Sequence, residues 1–429
     1  MKKYYYLLAL TMGLTFTACS SDSSNGNGNG NGDNGSTIVN DAKYKDVTYG
    51  VQAMSACDGV ITQLNAASNL IVSSNLNEAQ ETYLYDVLNN LVDYVIVPTY
   101  TKLADETEDL EKTLNGLTVS SITQDQIDKA CADFKEARAW WEKSEAFLGG
   151  AASDFNVDPT IDSWPLNRSL LLSYFNNGMN DDMLDDATIL GFHALEFILF
   201  RNGQPRKVAE LKSNDTYKGF EKVTGAQELK YAQTICTLLK ERCYQLQVAW
   251  EGETTANAAR VAVIKEAGLE YTTSKGLSYG DNMKQAGKSN QSTFATLEDA
   301  IVQVLNHDEG SCVAICDEVG SMKIGNPFAN GDVSYVESPY SYNSIIDFQN
   351  NIRSIQNVWL GNVNGVQTSV KSFHNFFASA EAQNVNTAVE GAVDTAISNI
   401  GKMPSPFVKY VCTLWNIEFT DDEDWEVEE

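Results

Sequence analysis

The chain has 429 residues, 43% of them hydrophobic and 10% aromatic, and its formal charge of −28 becomes −30 once Lys2 and Lys3 are set aside. Such acidity argues against binding nucleic acid or clinging to anionic lipid; it suits attraction of cations, and plain solubility equally well. Only 8 prolines interrupt the chain, which leaves room for long helices.

The first 19 residues read as an export signal. Lys2 and Lys3 precede an apolar stretch from Tyr4 to Phe16, too short to span a bilayer as a mature helix. It ends in Phe16-Thr17-Ala18-Cys19. Small residues before a cysteine mark a bacterial lipoprotein signal, with Cys19 as the lipidated residue; an ordinary secretory signal with a chance cysteine is the alternative. Residues 20–36 form a tether, since Ser20 to Gly35 contains only Ser, Asn, Gly and Asp and has no apolar area to bury. No other segment has the length and apolarity of a membrane span. The expected location is the bacterial cell envelope, lipid-anchored, on the outer membrane, the periplasmic side or the surface.

The periodicity of the rest is helical nearly throughout. Apolar residues recur one helical turn apart from Tyr49 to Ser73. A stretch from Asn77 to Leu114 carries a kink at Pro98. Thr123-Gln124-Asp125-Gln126 is a capping box that opens a helix running to about Leu148, closed by Gly149-Gly150. Further helices are expected at 181–200, 219–250, 295–318, 342–360 and 385–400, and strand-like alternation is scarce. The fold class is therefore all-α, built from helical bundles. A boundary near Asn202-Gly203-Gln204-Pro205 divides an N-terminal bundle, 37–204, from a C-terminal one, 205–429. Duplication would explain the echo between Ala146-Phe147-Leu148-Gly149 and Val358-Trp359-Leu360-Gly361, as would chance.

Seven cysteines follow Cys19, so at least one thiol is free. Cys312 and Cys316 lie one helical turn apart, Cys236 and Cys243 two turns apart. Both spacings fit small residues on a core face better than bridges, and no zinc-type Cys/His spacing exists.

His193 is one of 3 histidines. It stands in Gly191-Phe192-His193-Ala194-Leu195-Glu196, on an expected helix from Asp181 to Phe200 that opens with four aspartates, as helix N-termini prefer. From Ala187 onward that helix is apolar all round except for Thr188, His193 and Glu196, the pattern of a buried helix. His193 and Glu196 are three apart and share a face. A buried glutamate needs a partner, and 181–200 holds no Lys or Arg. A metal ion with neutral imidazole as its nitrogen ligand would answer that need; a plain His–Glu hydrogen bond at a bundle contact is the competing reading. Three other segments carry chemistry: Glu142, Ser144 and Glu145; Asp158 to Leu166, with Asp162 and Trp164; and Glu337-Ser338-Pro339-Tyr340-Ser341, followed by Asp347 and Asn351. Carboxylates in these places could complete an oxygen-rich site for Fe or Zn. Asp347 also fits an N-terminal box with Ser344, and Trp164 fits core packing.

In these segments the chain resembles the imelysin family, also classed as M75 peptidases and including EfeO-like iron-uptake lipoproteins. Its GxHxxE hallmark is matched by Gly191, His193 and Glu196, and its Ser-Glu-Ala-Phe element by Ser144, Glu145, Ala146 and Phe147. Ile161, Asp162, Trp164, Pro165 and Leu166 match an Ile-Asp-x-Trp-Pro-Leu element. Glu337, Ser338, Ser341, Asp347, Asn351, Ile355 and Gly361 match a later pattern. GxHxxE alone is a weak signal; the ordered set is a strong one. Departures are Gly149-Gly150 in place of a Phe-Gly-Pro-like turn and Trp359 in place of Tyr.

The resemblance implies two helical-bundle domains with a site near their interface, and a role in bacterial iron or haem acquisition. It implies metal, iron or zinc, on His193, Glu196, Glu145 and Asp162, with Ser144, Trp164, Gly191, Glu337, Ser341, Asp347 and Asn351 lining the cleft. Partners would be the metal ion or an iron chelate or haem, other iron-uptake components of the envelope, and the membrane through the anchor. The alternatives are an M75-type metallopeptidase and a helical surface-interaction module with a structural His–Glu pair. The residues do not favour the peptidase: there is no HExxH, and a ligand Glu196 could not also serve as the base.

Overall fold

The computed structural model describes residues 42–363, 365, 370–379 and 382–419. Cys19, the export signal and the 20–36 tether lie outside the described residues. The structure is helical, and the described residues hold a single two-stranded hairpin, in which Phe200 pairs with Pro205 and Arg201 with Gln204. Among the described residues no helix is long and apolar enough to cross a membrane.

The longest amphipathic runs form where the spacing of apolar residues places them. Helix α1 (Thr48–Ser73) buries Cys57, Val60, Leu64, Ala67 and Ile71 along one face. The next stretch divides into α2 (Glu78–Leu91), a π-helical turn (Val92–Ile96) and α3 (Val97–Leu114). Pro98 has no N–H to give to the turn before it, and that turn is the widened one. In α4 (Gln124–Glu142) the capping box forms, with the Thr123 N–H donating to Gln126 Oε1 at 3.0 Å. This helix stops at Glu142 rather than near Leu148; Glu145–Phe147 is a separate 3-10 turn.

The largest departure surrounds His193. The expected helix over 181–200 is two 3-10 turns, Asp181–Asp185 and Ala187–Ile189, followed by α5 (Gly191–Leu199). Asn180 caps the first turn and Asp186 the second, where it accepts from the Thr188 N–H at 2.9 Å. Later come α6 (Gly225–Glu251), α7 (Ser344–Leu360) and α8 (Gln383–Ile400). The expected 295–318 helix is broken into Leu297–Leu305 and Cys312–Asp317, the second running on through a π-helical turn, Glu318–Ile324. All seven described cysteines are buried free thiols.

The helices do not sort by their side of residue 204. Helix α1 packs on α8 and on the 312–324 segment, whereas α6 packs on α3 and α5. Contact of α4 with α7 joins the two groups, and Asp41–Glu429 forms one compact unit. Beside the hairpin, Arg206 is buried and pairs with buried Glu228 of α6 at 2.9 Å.

Candidate metal centre

Four pieces of chain converge beside the α4–α7 contact. The buried face of α4 runs Ile127, Ala130, Cys131, Phe134, Ala137, Arg138, Trp141 and Glu142, so a helical turn of the core face is occupied by a guanidinium and a carboxylate. Arg138 is fully buried and reaches four carboxylates: Glu142 at 2.5 Å, Glu337 at 2.5 Å, Asp347 at 3.7 Å, and Asp162 in close contact. Burial opposes its charge, yet these neighbours hold its pKa well above the ordinary value.

Asp162 closes the short helix Val157–Ile161. Its Oδ2 accepts from Trp141 Nε1 at 2.6 Å, and its Oδ1 lies 3.1 Å from His193 Nε2. Gly191 makes this approach possible. Its φ is +75°, and a Cβ there would sit 2.1 Å from the Ile161 carbonyl oxygen. Only glycine lets α5 start against residue 161, which sets His193 beside Asp162. One turn on, Glu196 Oε2 lies 3.3 Å from His193 Nδ1, while Glu196 Oε1 accepts from the Ser341 N–H at 2.7 Å and hydroxyl at 2.6 Å. The Trp164 ring stands 4.6 Å from the imidazole.

The segment before α7 supplies the rest. Glu337 Oε1 lies 3.9 Å from His193 Nε2, and Oε2 lies 3.1 Å from the Nζ of buried Lys323, delivered by the Glu318–Ile324 turn. Asp347 takes hydrogen bonds from Ser338 Oγ at 2.6 Å and Asn343 Nδ2 at 2.5 Å, so the box with Ser344 does not form; Ser344 donates to the Glu337 carbonyl instead. Asn351 donates to Glu142. Ser144 turns back to the Trp141 carbonyl at 2.7 Å. Glu145 is buried but is not among the groups that meet at His193; it lines an adjoining cavity of about 140 Å³ with Asp158, Asp162, Glu318, Lys323 and Glu337.

Asp162, His193 and Glu337 therefore each offer one ligand atom, all within 4.8 Å of one another. The first two come from before residue 204 and the third from after it. His193 Nε2 is buried and has no hydrogen bond, because Asp162 stands at ion-pair distance without hydrogen-bond geometry. One imidazole and two carboxylates with open positions suit iron, zinc or manganese. Glu196 occupies the other ring nitrogen, the place of the carboxylate that orients a ligand histidine.

Protonation reflects the crowding. Burial and Arg138 work against the imidazolium, but contacts with Asp162 and Glu196 outweigh them and push the His193 pKa up to about 9. The neutral imidazole expected of a ligand must then form by loss of a proton as metal binds. Burial opposes ionisation of Asp162 as well, yet Arg138 and His193 hold its pKa below the usual carboxylate range. Burial raises Glu142 and Glu145 well above it, Asp158 to about 7 and Asp347 to about 6.

The absence of Lys and Arg from 181–200 does not by itself call for a metal. Glu196 is satisfied by Ser341 and His193, and the positive charge comes from Arg138 and Lys323 on other elements. Neither cation was singled out from the sequence. Arg138 had a visible signal, because it falls in phase with Ile127, Cys131 and Phe134 on the buried face of α4. Lys323 had none, since a π-helical turn sets its direction.

Comparison with known proteins agrees with this architecture. Iron-regulated protein A of Synechococcus elongatus is 24% identical over 305 residues, spanning 71% of this chain and 70% of that protein. A crystal structure from Parabacteroides distasonis, described as a candidate iron-regulated protein A precursor, superposes with a TM-score of 0.58 at 23% identity, covering 80% of this chain and 96% of that one. It has the same fold. The model of the imelysin family, peptidase M75, matches residues 96–421, from α3 to beyond α8 and across every residue of the centre, and the chain belongs to that family.

Proposed function

We propose that this protein binds iron, or a metal ion of similar ligand preference, as cargo in bacterial iron acquisition, and that it does so in the cell envelope on a lipid anchor at Cys19. Asp162, His193 and Glu337 hold the ion, and Glu196 fixes the imidazole through Nδ1. The observation that carries this reading is His193 Nε2, buried without a hydrogen bond, in a group of three ligand atoms with Asp162 and Glu337 that all lie within 4.8 Å of one another. Six carboxylates with little or no exposure (Glu142, Glu145, Asp162, Glu196, Glu337 and Asp347) surround Arg138, Lys323 and His193. Such a surplus of carboxyl oxygens favours a cation, which takes the place of the protons that burial holds on Glu142 and Glu145. Two relatives named for regulation by iron support the choice of metal.

The competing reading, a structural ion-pair network, draws on the contacts of Arg138 with Asp162 and Glu337. Calorimetry with Zn²⁺ and anaerobic Fe²⁺ separates the two. His193→Ala and Glu337→Gln should each weaken binding by about ten-fold or more, on the order of 1.4 kcal/mol. Unchanged affinity in both variants, with native circular dichroism, would make the cluster structural. The anchor has its own test: Cys19→Ala should move the protein from the membrane fraction to the supernatant, and a variant still wholly in the pellet, with no acyl group by mass spectrometry, would refute lipidation.

A further inference from the structure

Glu145 is 4% exposed, and among the described residues it has neither a hydrogen bond nor an ion pair. A carboxyl group so placed keeps its proton unless a cation takes the proton's place. The side chain faces the 140 Å³ cavity, whose wall also holds Asp158, likewise unpaired. Lys323 does not answer this demand. Its ammonium is taken by Glu337 at 3.1 Å, with Glu318 at 3.7 Å. The Glu318 side chain is 45% exposed, so the cavity reaches solvent on that side. On its inner side the cavity is walled by Asp162 and Glu337, which belong to the centre itself.

Size and charge define what can occupy this space. A water molecule takes roughly 30 Å³, so the cavity holds about four or five of them. Organic ligands ordinarily need about 300 Å³ or more. Five carboxyl groups against one lysine offer an anion no favourable partner beyond that lysine. The donors are all oxygen, the preference of hard cations that keep part of their water.

We propose that Glu145 and Asp158, with Glu318 at the rim, form an outer all-oxygen station for a hydrated cation on its way to Asp162, His193 and Glu337. The inference rests on the metal-binding reading of the inner centre. It adds that the ion arrives as a hydrated cation, so that an anionic chelate such as ferric citrate gives up its organic ligand outside.

Mn²⁺ is a suitable probe, followed by electron paramagnetic resonance and equilibrium dialysis on the full chain. In His193→Ala, where the inner centre lacks its nitrogen, one weakly held Mn²⁺ should remain. Adding Glu145→Gln and Asp158→Asn should weaken that ion at least ten-fold; these near-isosteric amides imitate the protonated acids and leave the fold intact. The outer station is overturned if His193→Ala binds no Mn²⁺, or if the amide changes leave its binding unaltered. Failure of the inner centre reads differently: tight Zn²⁺ binding would then be the same in wild type and His193→Ala. Ferric citrate with labelled citrate completes the test. Iron should be retained without citrate, and citrate retained one-for-one with iron would overturn the hydrated-cation claim.

Discussion

His193, Asp158 and Asp347 all hold their protons more firmly in the fold than in a free chain, with pKa values near 9, 7 and 6. For each the sign is the same. A group that binds protons more tightly when folded contributes stability at low pH and loses it as pH rises through its folded pKa. Asp162, held low, acts in the opposite sense, but only below about pH 4, the ordinary range of a free aspartate. The metal-free chain should therefore lose stability steadily from about pH 4 to pH 9. Urea unfolding across that range checks it, and Asp158→Asn should flatten the slope between pH 4 and 7. A stability that climbs with pH over this window would contradict the assigned protonation. At this scale much was legible. His193, Glu196, Asp162 and Glu337 were all picked out as residues, because a lone histidine on an apolar helix and acids in Pro-rich turns stand out. Their distribution was not legible. Which carboxylate meets Nε2 and which meets Nδ1 depends on where Gly191 lets α5 begin, and that depends on the Ile161 carbonyl far along the chain.

Elements with uninterrupted amphipathic periodicity, α1, α4, α6, α7 and α8, lie where the spacing of apolar residues put them, to within a few residues at most ends. Failures cluster where local chemistry competes with periodicity. Over 181–190, Asn180 and Asp186 accept from backbone N–H groups two residues on, and such side-chain bonds offer the chain an alternative to a helix. Gly191, at positive φ, then marks a start and not an interior. Past Cys312 the helix carries an extra residue per turn from Glu318 to Ile324, and no periodic template anticipates that widening. Both irregular elements serve the centre: the first delivers His193 and the second delivers Lys323. The site is thus built from the parts of the chain least readable by pattern, with the regular helices as its frame.

At the scale of the molecule, the hairpin Phe200–Pro205 lies where a boundary was expected, yet packing crosses it in both directions. The apolar face of α1 is covered by α8 and by the 312–324 segment, and α3 is covered by α6. No sequence pattern states which amphipathic faces pair, so a boundary read from Asn202-Gly203 could not reveal this exchange. A fragment of residues 37–204 would keep α1 through α5, with α3 still on α4, but would strip α8 and the 312–324 segment from α1 and α6 from α3 and α5. Its exposed faces would include Cys57, Val60, Leu64 and Ile71, each at most 1% exposed in the whole chain, and burial of such residues is worth about 1.5–3 kcal/mol apiece for the larger side chains. The fragment is therefore expected to retain part of its helix signal, bind a hydrophobic dye and melt without a cooperative transition. Fragment 205–429, which lacks α1, should behave likewise, and mixing the two as they refold should restore a single transition. A cooperative melt of 37–204 alone, without dye binding, would show that the hairpin separates two units that fold independently, and that the α1–α8 packing is a docking contact added afterwards.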